Sequence, residues 1–270
     1  MPDPIQSPSN PRIKNILKLQ SGSRDRREQN LFVIEGYREI SRALTSGIEI
    51  KEIYICTELD RQGKGEELIL QHPEIKVFDV GIHAFERIAY REGSDGLIAL
   101  AVPRNLTLDS LKLNPDPLIL ILESVEKPGN LGAIMRTADA AQLDAVIVCD
   151  PLTDIYNPNA IRSGVGCIFS RQVVSCTTSE ALAWLQKHKI KIYAAALTDT
   201  ALVYHKMDFR GPVAIVMGTE ATGLSQEWLD KSDAQIIIPM QGIADSLNVS
   251  TSAAVLVFEA VRQRGASEKE

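Results

Sequence analysis

An α/β protein in two parts is what this sequence predicts, and three observations carry the prediction. Short apolar runs of strand length alternate with segments of helical period along nearly the whole chain. The stretch "RNLTLDSLKLNPDP", rich in polar, Asn and Pro residues and without sustained period, interrupts the alternation and marks a boundary. Beyond it the strand-like runs become almost continuously apolar, as in a parallel sheet covered on both faces. The expected division is residues 1–103, a linker over 104–116, and residues 117–270.

In the first part, Ile13, Ile16 and Leu17 give Asn10 to Leu19 a helical spacing, and "LFVIEG" follows as a short strand. A helix over "YREISRALTSG", stopped by Gly47, precedes the strand "IKEIYIC"; another helix, the strand "KVFDV", a helix near "AFERIA" and the strand "GLIALAVP" complete a small alternating unit. The second part offers strands at "LILILESV", "AVIVCD", "VVSC", "IYAAALT", "VAIVM" and "AQIIIP". Between them lie "GNLGAIMRTADAA", "NPNAIRSGVGCIF", "SEALAWLQKHK" and "SQEWLDKS", and "SLNVSTSAAVLVFEAVRQR" reads as a closing helix from Ser246 to Arg264. That helix begins with a cluster of polar residues. Ser246 as an N-cap accounts for one of them and leaves Asn248, Ser250, Thr251 and Ser252 without a reason.

Composition is that of an ordinary globular chain, 44% apolar and 24% charged over 270 residues. The apolar runs fall short of a membrane-spanning helix, and "MPDPIQSPSNPRIK" lacks the apolar block of a signal peptide, so the cytoplasm is expected. Cys56, Cys149, Cys167 and Cys176 are far apart in sequence, without a C-x-x-C pair and mostly inside apolar runs, which predicts buried reduced thiols rather than metal ligands or disulfides. A net charge of −6 argues against indiscriminate polyanion binding. The head of the chain is nevertheless basic, with Arg12, Lys14, Lys18, Arg24, Arg26 and Arg27 against Asp3, Asp25 and Glu28; from charge alone it reads as a solvated helix face.

In open α/β sheets ligands sit beyond the carboxyl ends of the strands. Three strand exits combine glycine with Asn, Glu, Ser or Arg, where a merely structural turn needs only the glycine: "EKPGNLGAIMRTADAA", "GTEATGLS" and "MQGIADSLNVS". No G-x-G-x-x-G turn follows the first strand, no P-loop or G-x-S-x-G elbow is present, and His72, His83, His188 and His205 are isolated. Dinucleotide, phosphate-loop, triad and metal chemistry therefore have little support, and no metal is expected.

Taken in order, "KPGNLGAIMRTA", "VMGTEATGLS" and "IPMQGIADSLNVSTSAAVLVFE" resemble the three motifs of the SpoU (TrmH-type) RNA 2′-O-methyltransferases of the SPOUT superfamily, and the likeness spans Pro117 to Arg264. The first part resembles the L30e-like substrate-binding domain that many members carry. The resemblance implies a mostly parallel α/β sheet with a deep C-terminal trefoil knot, which general topology rules would not suggest. It further implies S-adenosylmethionine as methyl donor, an RNA substrate and a homodimer whose pocket is completed across the interface. Gly218, Ile238 and Leu247 match positions whose backbone lines the donor pocket. Asn130, Arg136, Glu220, Ser246 and Asn248 match the polar positions around the reacting ribose, which gives the closing helix a reason for its polar start. Thr219 and Ala221 stand where the family usually has Asn and Gly, predicting a less tightly bent turn, and Gln142 stands where a helix-ending glycine is usual.

Transfer of a methyl group from a sulfonium to a ribose 2′-hydroxyl needs in-line placement and help in losing a proton. The family arginine is often given the role of general base, but a guanidinium with a pKa above ~12 resists deprotonation. Arg136 is therefore expected to hold an RNA phosphate and to stabilise charge developing on the oxygen, with Asn130 and Glu220 orienting it and Ser246 and Asn248 fixing the ribose. Arg12, Lys14 and Lys18 are the phosphate candidates on the basic head. Taken singly, Arg136 reads as a surface arginine, Glu220 as a helix-start carboxylate and Asn130 as an N-cap; only their joint placement at three strand exits favours the site. The expected substrate is 23S-type ribosomal RNA. A tRNA methyltransferase of the same family, or a non-catalytic RNA-binding factor in ribosome assembly, is the alternative, and calorimetry with S-adenosylmethionine separates the last.

Overall fold

The computed structural model describes residues 4–90 and 93–265. Met1 to Asp3, and with them the start of the expected first domain and the acidic Asp3, lie outside the described residues, as does the end of the expected second domain at Glu270. The chain divides into two compact units, Met1–Arg104 with Tyr156–Ser170, and Asn105–Ile155 with Arg171–Glu270. Among the described residues no helix is long and apolar enough to cross a membrane.

The first unit holds a four-stranded sheet in the order β1-β4-β2-β3, from β1 (Phe32–Glu35), β2 (Ile50–Ile55), β3 (Lys76–Asp79) and β4 (Leu97–Ala101). The pairs β1–β4 and β4–β2 are antiparallel and β2–β3 is parallel. Its helices are α1 (Pro11–Ser21), α2 (Ser23–Gln29), α3 (Tyr37–Thr45), α4 (Lys64–Gln71) and α5 (Ile82–Ile88). Asn10 caps α1, its side chain accepting from the Arg12 N–H at 2.9 Å, and Ile13, Ile16 and Leu19 face inward onto Phe85 and Ile88. The sequence gives no periodic signal for α2, "SRDRREQ". Its seat is the buried Arg26, whose Nη1 donates to the Leu19 carbonyl at 2.6 Å; one of the six basic residues of the head is thus spent inside the unit.

The segment Tyr156–Ser170 carries α7 (Pro158–Ser163) and belongs by its packing to this first unit, although the sequence reading kept it with the second. The reason is apolar matching. Ala160, Ile161, Cys167, Ile168 and Phe169 are all buried, and the Tyr156 ring lies 4.4 Å from that of Phe32. Asn159 also donates to the Tyr90 hydroxyl at 2.6 Å.

The second unit is built on seven strands: β5 (Leu118–Glu123), β6 (Ala145–Cys149), β7 (Val173–Cys176), β8 (Lys191–Ala195), β9 (Leu202–Val203), β10 (Val213–Met217) and β11 (Ala234–Ile237). Every pair in the order β7-β6-β5-β10-β8-β11-β9 is parallel. The α/β class and the mostly parallel sheet expected from the sequence are the ones observed, with the two-residue β9 added at one edge. All of β5, β6 and β10 is buried, as the unbroken apolar runs require when both faces are covered by helices. These helices are α6 (Pro128–Ala140), α8 (Thr178–Lys187), α9 (Gln226–Lys231) and α10 (Val249–Gln263), and α10 packs on α6 and β10.

Candidate functional site

Going outward from β5, the sheet order runs forward in sequence on one side, to β6 and β7, and jumps to β10 on the other. The ends of β5 and β10 therefore flank the point where an open parallel sheet leaves a crevice for a ligand. From the β5 exit the chain passes through Lys127, the residue preceding α6, and Pro128 at the first helical position, which places Asn130 inside the first turn. Asn130 is thus not the cap.

From the β10 exit the chain makes a closed loop. Thr219 N–H donates to the Gly223 carbonyl at 3.1 Å, Gly223 N–H returns to Thr219 at 3.2 Å, and the Thr219 hydroxyl takes the Thr222 N–H at 3.0 Å. The Thr219 hydroxyl thus holds the loop from within. Gly218 explains how the closure fits: a Cβ there would lie 2.3 Å from the carbonyl carbon and oxygen of Gly223. Glu123, buried at the end of β5, anchors the far side of the loop by accepting the Ser225 N–H at 2.8 Å.

The third exit leads to α10, which starts at Val249 rather than Ser246. Its cap is Asn248. The Asn248 Oδ1 accepts from the Ser250 N–H at 2.9 Å and from the Ser250 hydroxyl at 2.6 Å. With its oxygen so used, the amide must present Nδ2 on the other side. There it donates to Glu220 Oε1 at 2.6 Å and to Asn130 Oδ1 at 3.2 Å, while Asn130 Nδ2 donates to the same Glu220 oxygen at 3.1 Å. Lys127 Nζ donates to the other carboxylate oxygen.

Glu220 is thus clasped by one residue from each of the other two exits and by Lys127. The Lys127 hydrogen bond is the first reason its carboxyl lies below the usual range; Asn130, the lysine charge and the Val249 N–H add to it, against some desolvation. Lys127 is raised in turn by the same bond. Neither Lys127 nor Glu123 was singled out from the sequence. For Glu123 a signal existed, a carboxylate closing an apolar strand; for Lys127 there was only its place within the first motif.

A cleft of about 560 Å³ opens beside this cluster. Gly218, Ile238 and Leu247 line it, as do Glu220, Ser246 and Asn248, with Leu197 and Leu256 as apolar wall. Ser246 is exposed there and donates to Asp245 Oδ1 at 3.3 Å. Of the eight residues predicted for catalysis and donor binding, Arg136 alone stands apart. It lies six positions beyond Asn130 on α6, so about 9 Å further along the axis and a third of a turn round. It is exposed, without a hydrogen bond or ion pair among the described residues, on a face it shares with Gly129, Ala133 and Ala140, with Asp139 beside it one turn on. Among the described residues no group of three or more His, Cys, Asp or Glu is placed to hold a metal ion.

On the basic head, Arg12 donates from Nη1 to Glu52 Oε1 at 3.0 Å and its guanidinium lies 4.0 Å over the Phe78 ring. Lys14 and Lys18 are exposed and have no such partner among the described residues.

A wholly parallel sheet with a polar cluster and a ligand-sized cleft at its order reversal defines an α/β protein that binds a small molecule at the strand ends. The chain belongs to the SpoU rRNA methylase family, whose sequence pattern matches residues 117–258. Residues 10–99 match the MRM3-like substrate binding domain. The chain is 31% identical over 94% of its length to the 23S rRNA (guanosine(2553)-2′-O)-methyltransferase RlmP of Bacillus subtilis, covering 97% of that protein. A crystal structure of an RNA 2′-O ribose methyltransferase superposes with a TM-score of 0.83 at 40% identity, over 97% of this chain and 99% of that one. The SpoU methyltransferase AviRb of Streptomyces viridochromogenes, in complex with AdoMet, gives 0.86 at 26% identity, over 96% and 100%.

Proposed function

We propose that the protein transfers a methyl group from S-adenosylmethionine to a ribose 2′-hydroxyl of RNA, with large-subunit ribosomal RNA as the substrate. The observation that carries this reading is the convergence of Asn130, Glu220 and Asn248 from three strand exits beside one cleft. The residues present fit the donor. The cleft volume lies inside the ~300–1,000 Å³ of small-molecule sites. Aliphatic side chains at 197, 238, 247 and 256 suit an adenine face, and only a glycine at 218 leaves the loop closed against the wall. Bound there, S-adenosylmethionine supplies an electrophilic methyl on a positive sulfur.

The chain's own groups position the acceptor. Glu220, held ionised by its donors, is a weak base and acts as an orienting anchor rather than as proton acceptor. It fixes the amides of Asn130 and Asn248, and Ser246 adds a hydroxyl at the mouth. Arg136 binds the phosphate next to the reacting sugar and stabilises charge developing on its oxygen. Because Arg136 and the Glu220 cluster sit apart in one chain, the arginine comes from a second copy. In support, the solvent sides of α6 and α10 carry runs of small or apolar residues, Gly129, Ala133 and Ala140 on one and Ala254, Val255 and Phe258 on the other, with Phe258 47% exposed, beside the charged Asp139 and Arg262. Such a dimer matches the family resemblance, as does a knot made by the chain between β10 and α10. RNA is gripped by Lys14 and Lys18 in the first unit, Arg12 being committed to Glu52 and Phe78. The cytoplasm is where such a substrate is met.

Subunit mixing tests the reading. Arg136→Lys and Asn248→Ala are each expected to abolish methylation of ribosomal RNA, with S-adenosylmethionine still bound by the former. Unfolding and refolding the two together restores activity, because one site of each mixed dimer receives an intact Asn248 and an intact Arg136. No recovery in a mixture shown to contain mixed dimers would place the arginine in its own chain's site, and failure to bind S-adenosylmethionine would remove the function itself.

A further inference from the structure

Cys149 and Cys176 are separated by the whole of α7 and its flanking loops, yet they are in-register partners on the parallel neighbours β6 and β7. Adjacent strands run about 4.8 Å apart. That is inside the ~4.4–6.8 Å between Cα atoms that a disulfide spans, near its short end. In-register residues of a parallel pair project to the same face. Accordingly Cys149 sits in the cluster formed with Ala181 and Trp184, and Cys176 packs on that cluster from its edge.

The two thiols differ in setting. Cys149 is fully buried and Cys176 only partly. A cavity of about 460 Å³ opens onto Cys176, bounded by Thr107, Glu180, Trp184 and Lys187. Pairing with Cys149 holds the Cys176 thiol below its ordinary value, against the opposing effects of its burial and of Glu180 and Asp150. Pairing with Cys176, and then burial, raises Cys149. The sulfur that solvent can reach is thus the one whose ionisation the pairing favours, with a buried thiol beside it. Cys56 and Cys167 have no cysteine neighbour of this kind: Cys56 is buried and pushed up by desolvation, and Cys167 lies beside Arg42.

We propose that Cys176 and Cys149 form an oxidisable dithiol site that takes a hydroperoxide through the cavity at Trp184 and closes to a reversible disulfide. The Cys176 thiolate attacks the outer peroxide oxygen; the O–O bond breaks, the alkoxide or hydroxide leaves and takes up a proton, and Cys176 becomes a sulfenic acid. Cys149 sulfur then attacks the Cys176 sulfur, the S–O bond breaks, and the thiol proton leaves with the hydroxyl as water. The sum is dithiol plus hydroperoxide giving disulfide, alcohol and water. The short strand spacing makes the product a bond that a dithiol reductant readily reopens.

The test is hydrogen peroxide at a stoichiometric dose on the full-length protein, followed by acid quench, alkylation with N-ethylmaleimide in denaturant and peptide mapping. The expected result is joint loss of alkylation at Cys149 and Cys176, a linked peptide lighter by about 2 Da than the two thiol peptides together, and recovery with dithiothreitol. In Cys149→Ser, sulfenic acid trapped by dimedone at Cys176 should exceed the wild-type amount by about tenfold, since the resolving thiol is gone. Wild-type protein in which both thiols stay alkylatable, in which Cys56 or Cys167 oxidises first, or in which dimedone labels Cys176 with no linked peptide overturns the proposal. The wild-type arm needs no substitution, so folding of a variant does not enter the decision.

Discussion

Gly218→Ala should disable the cleft while leaving the sheet folded. An added Cβ would meet the carbonyl carbon and oxygen of Gly223 at 2.3 Å and the Leu224 nitrogen at 2.5 Å. Relaxed carbon contacts lie near ~3.5–4.0 Å, so more than about 1 Å must be recovered, and every obstructing atom is backbone. The loop can yield only by parting the Thr219–Gly223 pair of hydrogen bonds, or by staying shut with Gly218 pushed into the cleft. Overpacking costs about 1–3 kcal/mol and each of the two hydrogen bonds about 1, for a total of about 3–5 kcal/mol. If binding requires the closed loop, that total weakens S-adenosylmethionine affinity by roughly 150-fold to several thousand-fold. Calorimetric titration reads this directly, with urea unfolding run beside it. Gly211→Ala is the control: its Cβ meets nothing within 4 Å, and just before β10, at the strand end opposite the cleft, it should leave affinity unchanged and add about 0.4–1 kcal/mol of stability. Equal affinities and stabilities for Gly218→Ala and wild type would refute the claim that closure of this loop makes the pocket.

Gln142 occupies a left-handed position, φ 52°, at the end of α6, where its N–H donates to Asp139 and the Leu143 N–H to Ala138. Gln142→Gly should therefore stabilise the protein by roughly 0.5–1 kcal/mol in urea unfolding, the relief of the left-handed strain exceeding the extra entropy of the unfolded chain. The depressed carboxyl of Glu220 contributes stability that is fully present above the unfolded value of ~4.3 and is lost as pH falls through its lower folded value. The stability gap between wild type and Glu220→Gln should stay constant down to about pH 5 and narrow only below ~4.3; narrowing by pH 6 would mean a raised carboxyl instead. Lys14→Ala and Lys18→Ala should each flatten the dependence of log K for RNA on log salt by about 0.7–0.9. Arg12→Ala should instead lower the melting temperature through loss of its Glu52 and Phe78 contacts, and a salt slope changed by Arg12→Ala alone would return that residue to the RNA surface.

Strands were easy to read here because burial on both faces leaves little room for polar residues: "LILILE", "AVIVC" and "VAIVM" became β5, β6 and β10 with every residue buried. Elements whose cause is not an apolar period were invisible. Helix α2 exists because Arg26 reaches two carbonyls at the end of α1, an interaction between particular atoms that leaves no repeat in the sequence. Strand β9 is two residues joined to β11. For Tyr156–Ser170 the covalent neighbours point to the second unit, whereas its buried Ile161, Ile168 and Phe169 answer to the partners that cover them.

For the site, sequence supplies the chemistry of each strand exit and withholds which exits are neighbours. That Asn130 meets Glu220, ninety positions later, follows from β10 lying beside β5 in a sheet whose order no local pattern encodes. Once the order is known, the polar start of α10 becomes a requirement. A cap at 248 is worth about 1 kcal/mol to the helix, and Ser or Asp would supply it equally well. Only an amide can accept from the helix with its oxygen while donating to a carboxylate with its nitrogen. Aspartate there would set two carboxylates against each other, and serine would not reach. Arg136 obeys the opposite logic. Its guanidinium is unpartnered on an α6 face shared with glycine and alanine, and in the dimer proposed above, burying that face against a second copy would both remove the exposed apolar surface of α10 and give the arginine a place to act.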